Sequence, residues 1–85
     1  MEVTVLGFGC ASCSRLYDDV ERAIRQLGLE ATLSKIERLE EMAPYKIRTT
    51  PALVINGEVK AAGRIPAAAE LTSWLTTAAM QEAAR

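Results

Sequence analysis

Histidine is absent from this 85-residue chain, which removes imidazole as a catalytic base and every metal site that requires it. What remains for such chemistry is a pair of thiols, Cys10 and Cys13. An excess of either charge is lacking as well: ten basic residues against eleven acidic ones give a net charge of −1, with no basic block. Neither a nucleic-acid footprint nor attraction to an anionic membrane surface is expected from that balance. No apolar run approaches the ~18 residues needed to cross a bilayer. The opening Met1-Glu2-Val3-Thr4-Val5 moves directly into strand-like sequence, without the basic and apolar regions of a secretory signal. The expectation is a cytoplasmic, monomeric protein. No linker, repeat or low-complexity tract divides the sequence, so a hydrophobic content of 49% points to one domain over residues 1–85 with one modest core.

In a reducing compartment a lone Cys-x-x-Cys is catalytic, redox-sensing or metal-binding rather than a permanent cross-link. Here the pair lies in Gly9-Cys10-Ala11-Ser12-Cys13-Ser14, where the apolar run Val3-Thr4-Val5-Leu6 gives way to a helical pattern near Arg15. A helix starting at about Cys10 turns unpaired backbone N–H groups and the positive end of its dipole toward the sulfur, which favours thiolate over thiol. The i, i+3 spacing puts Cys13 on the same side of that turn, within reach of a reversible disulfide. As a staple the bridge would do little: closing a four-residue loop removes about 2 kcal/mol of chain entropy, against about 3 for fifteen residues. Cys13 also falls in the apolar stripe of the helix, so Cys10 is expected to be the more exposed and more acidic sulfur.

Val3, Val5, Leu6 and Phe8 put apolar side chains on both faces of a first strand over residues 3–8, as in a central strand covered from both sides. Gly7 and Gly9 supply the freedom to turn into the helix, but Gly-Phe-Gly lacks the third glycine, acidic ribose partner and Lys-Ser/Thr ending of a phosphate loop. From Ser12 or Ser14 as N-cap, Cys13, Leu16, Val20, Ala23, Ile24 and Leu27 recur at three- and four-residue steps up to a closing Gly28. The opposite face carries the i, i+4 pairs Asp18–Arg22 and Glu21–Arg25 and is read as solvated. A polar second strand over residues 30–36 suits a sheet edge, parallel to the first because a helix crosses between them. A short helix over residues 37–43, with Leu39, Met42 and Ala43 on one side, is limited by Pro44. Residues 52–55 and 58–61 then flank Asn56-Gly57 as a β-hairpin. Pro66 begins a last helix with Leu71, Trp74, Leu75 and Ala78 on its inner side, and its end is expected to fray past Met80.

The order β-α-β-α-β-β-α, with the cysteine pair after the first strand and Pro51 just before the hairpin, resembles the thioredoxin fold in its minimal form. The run Ala43-Pro44-Tyr45-Lys46-Ile47-Arg48-Thr49-Thr50-Pro51-Ala52-Leu53-Val54-Ile55-Asn56-Gly57-Glu58 is similar to the thioredoxin segment that carries a Tyr-x-Ile-Arg lead-in, a cis-proline, a strand and an Asn-Gly turn. Its shortness and its Gly-x-Gly-Cys-Ala-x-Cys opening resemble the small redox-active disulfide proteins of archaea and bacteria. The resemblance implies an α/β fold with a four-stranded mixed sheet and helices on both faces. It also implies thiol–disulfide exchange in which Cys10 attacks a substrate disulfide and Cys13 resolves the mixed disulfide. Thr50 and Pro51, joined by a cis bond, would present the Thr50 backbone to an extended substrate segment. The implied partners are disulfide-containing proteins or small disulfides, with a thioredoxin-reductase-type donor or glutathione supplying electrons. Neither a cofactor nor a metal is implied.

Two positions depart from the family pattern. Thr4 stands where thioredoxins usually carry a buried acid that helps deprotonate the resolving thiol, and Gly9 stands where a tryptophan usually precedes the first cysteine. Lys35 is a candidate proton acceptor, although a solvated edge residue is the simpler reading. Trp74, remote from the cysteines, reads as core. The other function class with Cys-x-x-Cys at a strand-to-helix turn is a soft-metal-binding or metallochaperone module. That fold runs β-α-β-β-α-β, usually has methionine where Phe8 stands here, and needs neither the Thr-Pro step nor a closing helix. Two thiols also fall short of the four ligands that zinc takes.

Overall fold

The computed structural model describes residues 1–8 and 11–83, so Gly9, Cys10, Ala84 and Arg85 lie outside the described residues. The elements are β1 (Glu2–Leu6), α1 (Ala11–Leu27), β2 (Thr32–Ile36), α2 (Leu39–Met42), β3 (Ala52–Ile55), β4 (Glu58–Ala62) and α3 (Ala68–Ala83), with a 3-10 turn, Ala43–Tyr45, directly after α2. The sheet order is β2-β1-β3-β4, with β2 parallel to β1 and the other two pairings antiparallel. This is the α/β, four-stranded mixed sheet expected of a minimal thioredoxin fold. One rung crosses all four strands: Ile36 pairs with Leu6, Leu6 with Ala52, and Ala52 with Ala62. Gly7, Pro51 and Gly63, each one residue beyond that rung, therefore gather at the same end of the sheet.

Side chains alternate across a strand, so β1 serves two cores. Val3 and Val5 join Leu16, Val20 and Ala23 of α1, Leu53 and Ile55 of β3, and Leu71, Leu75 and Ala78 of α3 in the larger cluster. Leu6 faces the other way, into a smaller cluster with Met42, Ala52 and Val54 that Ile36, Tyr45 and Ile47 partly cover. Helices α1 and α3 thus share one face of the sheet, and α2 with its 3-10 turn covers the other. Helix α1 closes in a Schellman arrangement: Gly28 takes φ +65, Gly28 N–H donates to the Arg25 carbonyl at 3.1 Å and Leu29 N–H to the Ile24 carbonyl at 3.2 Å.

Local chemistry moved several boundaries. β1 stops at Leu6 instead of running to Phe8, and Phe8 is 58% exposed beyond the sheet. Ser12 and Ser14, expected as caps, lie inside α1, and the expected helix start at Cys10 falls outside the described residues. Arg22 reaches Asp19 at 3.3 Å rather than Asp18, whereas Arg25 meets Glu21 at 3.6 Å. The second helix is one turn long, and Pro44 is the second residue of the following 3-10 turn, where its missing N–H costs nothing. Of its three expected inward residues only Met42 is buried; Leu39 is 70% exposed. Asn56 and Gly57 take φ 50 and 82, the positive angles of a two-residue hairpin turn. A register shift then pairs Leu53 with Ala61 but Val54 with Val59, leaving Lys60 as the extra residue of a bulge. Pro66 precedes α3 by two residues rather than starting it. The helix continues past Met80 to Ala83, and there Glu82 Oε1 accepts from Asn56 Nδ2 at 3.2 Å and lies 3.2 Å from the Met1 amino group. Trp74 is half-buried against the larger cluster. Among the described residues no helix is long and apolar enough to cross a membrane.

Candidate functional site

Beyond the shared rung, Gly7 N–H donates to the Ile36 carbonyl at 3.0 Å, one last step of strand pairing before the chain leaves the sheet. Gly7 is buried, and a β-carbon built on it would overlap Cβ and Sγ of Cys13. The close approach, not the backbone angle, requires glycine here. Cys13 lies in the first turn of α1 and is 3% exposed, at the head of the stripe that continues through Leu16 and Val20. Its motif partner Cys10 lies outside the described residues.

On the adjacent strand the Thr50–Pro51 bond is cis. Pro51 is buried and Thr50 half-buried, directly before the Ala52 that pairs with Leu6. The Pro51 carbonyl accepts Gly63 N–H at 2.8 Å, and Gly63, at φ +81, packs so tightly on Thr49 that a β-carbon would overlap its hydroxyl oxygen. An apolar pocket of roughly 150 Å³ opens beside these residues, lined by Phe8, Leu39, Met42 and Ile47 together with Thr49 and Thr50. Past Gly63, Arg64 donates two hydrogen bonds of 2.8 Å to the two carboxylate oxygens of Glu70, and Glu70 Oε1 also accepts Ala67 N–H at 3.1 Å. The Arg64 hydrogen bonds, then the Ala67 amide, hold the Glu70 carboxyl down at about 2 against an ordinary 4.5.

Of the residues singled out by sequence, Cys13, Thr50 and Pro51 lie at this end of the sheet. The Thr4 hydroxyl lies 3.4 Å from that of Ser34 across the β1–β2 pair, and a hydroxyl, unlike a carboxylate, is no proton acceptor of use at neutral pH. Lys35 is exposed, with its ammonium 4.6 Å from the centre of the Tyr17 ring, a cation–π contact on the outside of α1. Trp74 lines a groove with Asn56 and Lys60 at the hairpin. Sequence reasoning missed Phe8 and Leu39 as pocket walls and the pairing of Arg64 with Glu70. One signal for the latter was present: Glu70 is the third residue of α3, the position from which a glutamate reaches back to the cap amide. Among the described residues no group of three or more Cys, Asp or Glu side chains comes together as a metal site would need.

A family model described as a thioredoxin domain matches residues 1–76. The thioredoxin of Methanothermobacter thermautotrophicus is 29% identical over 76 residues, covering 89% of this chain and 99% of that protein. The thioredoxin of Methanocaldococcus jannaschii is 28% identical over 69 residues, covering 81% of this chain and 79% of that protein. The matched span includes Gly7, the cysteine pair, Pro51 and the Arg64–Glu70 pair, and it ends within α3. Strand order, element order and family match agree over nearly the whole chain, which belongs to the thioredoxin-domain family.

Proposed function

We propose that this protein is a thiol–disulfide oxidoreductase, acting as one cytoplasmic, monomeric domain, with Cys10 and Cys13 as its working thiols and Thr50 and Pro51 as its docking surface. The observation that carries the reading is the meeting of Cys13, Gly7 and Pro51 at one end of the sheet in a thioredoxin-domain chain. The Cys10 thiolate attacks one sulfur of a substrate disulfide, forming a mixed disulfide; the departing sulfur leaves as thiolate and takes a proton from water. Cys13, as thiolate, then attacks the Cys10 sulfur, releasing the second substrate thiol and closing the Cys10–Cys13 disulfide. Two electrons pass from protein to substrate, and a thioredoxin-reductase-type donor or glutathione returns them. The apolar pocket beside Thr50 supports a protein segment as substrate, since it would seat an apolar side chain next to Thr49 and Thr50. No observation favours a metal carrier, whose β-α-β-β-α-β order differs from the order here.

The test is reduction of insulin disulfides with dithiothreitol as electron source. The wild type should be active, Cys10→Ser inert, and Cys13→Ser trapped as a mixed disulfide visible by mass. Wild-type activity in both single variants would remove dithiol exchange as the function.

A further inference from the structure

Residues 63–67 connect the end of β4 to α3, and both ends of residues 64–67 are tied to one carboxylate. Arg64 grips Glu70 with both guanidinium donors, and Ala67 N–H donates to the same side chain. Pro66 lies between them, buried and with its φ fixed by its ring. Immediately before Arg64 stands Gly63, whose N–H donates to the Pro51 carbonyl at 2.8 Å and whose α-carbon packs on the Thr49 side chain. A shift anywhere in the segment is therefore passed to Thr49 and Pro51.

We propose that Arg64 and Glu70 are positioning residues for disulfide exchange: their forked pair locks residues 63–67 so that Gly63 keeps Thr49–Pro51 in the shape a protein substrate docks against. The inference rests on the oxidoreductase reading above and adds to it which residues set substrate affinity. Helix α3 is held chiefly by Leu71, Leu75 and Ala78, which are buried, whereas Arg64 and Glu70 lie at the surface, where an ion pair adds little to stability. Capping alone would be met by Ser, Thr, Asp or Asn at position 67, yet the chain has Ala67 and routes both the cap and the arginine fork through Glu70. The geometry serves the connection rather than the helix.

Steady-state kinetics on two substrates test this. Insulin must dock on the Thr49–Pro51 surface, whereas 5,5′-dithiobis(2-nitrobenzoate) needs only an accessible thiolate. Arg64→Ala should raise KM for insulin about 3- to 10-fold, the cost of ordering a segment that is no longer pre-set, with kcat and the rate on the small disulfide within about twofold of wild type. Arg64→Lys keeps the charge but not the fork and should behave like Arg64→Ala. Glu70→Gln removes the partner and is read in the same way should Arg64→Ala fail to fold. An unchanged KM for insulin in folded variants, or an equal loss on both substrates, overturns the positioning role and leaves the oxidoreductase reading in place. A folded wild type that reduces neither substrate overturns that reading, and the positioning role with it.

Discussion

Gly7 and Cys13 show how much one missing side chain decides. The sulfur of Cys13 occupies the volume that a β-carbon on residue 7 would need, so Gly7→Ala forces either the sulfur or the first turn of α1 to move. Overpacking of this kind costs about 1–3 kcal/mol, and urea denaturation should show a loss in that range. If Cys13 resolves mixed disulfides as proposed, the Gly7→Ala variant should do so more slowly, because its sulfur is displaced. The second expectation at this scale concerns exposure. Cys13 is all but inaccessible, so a limiting dose of iodoacetamide should label Cys10 first. Peptide mass mapping reads the outcome, and labelling of Cys13 ahead of Cys10 would exchange their assigned roles.

Among the elements, the start of α3 carries a pH dependence of known sign. The folded Glu70 carboxyl titrates at about 2 instead of 4.5, so its contribution is complete above about pH 4.5 and is lost as pH falls from there toward 2. The melting-temperature difference between wild type and Glu70→Gln should therefore be small for so exposed a pair, constant near neutrality, and close over that acid window. A gap that persists at pH 2 would show that the glutamate acts other than through its charge. The elements themselves were largely readable because their signals are local: the stripe from Cys13 to Leu27, Gly28 after it, and Asn56-Gly57 between two apolar runs. Periodicity gave way where an apolar residue is not core. Phe8 continues the β1 pattern although the sheet has ended, and Leu39 continues a helical stripe although it opens onto the pocket. That Cys13, Thr50 and Pro51 lie at one end of the sheet followed from the family resemblance, while the Arg64–Glu70 pair did not: its partners are six residues apart, astride a helix start, where no repeat period links them.

At the scale of the whole molecule the two faces of the sheet are unequally filled. The α1–α3 side buries ten of the described residues in one cluster, and the α2 side buries four. Leu16→Ala, in the larger cluster, should cost about 2–5 kcal/mol in denaturant, a large share of the 5–15 kcal/mol that holds a typical domain together. Native-state hydrogen exchange should resolve the same asymmetry without mutation. Backbone amides over residues 39–46 rest on a single helical turn and a 3-10 turn, so they should open with a free energy well below the global value, while those of β1 and the middle of α1 exchange only on complete unfolding. The pocket wall formed by Leu39 and Met42 belongs to the loosely held half; Gly7 and Cys13 belong to the tightly held half. In the proposed docking role, such a division would let the pocket wall reshape itself around differing substrate side chains while Cys13 keeps its bearing.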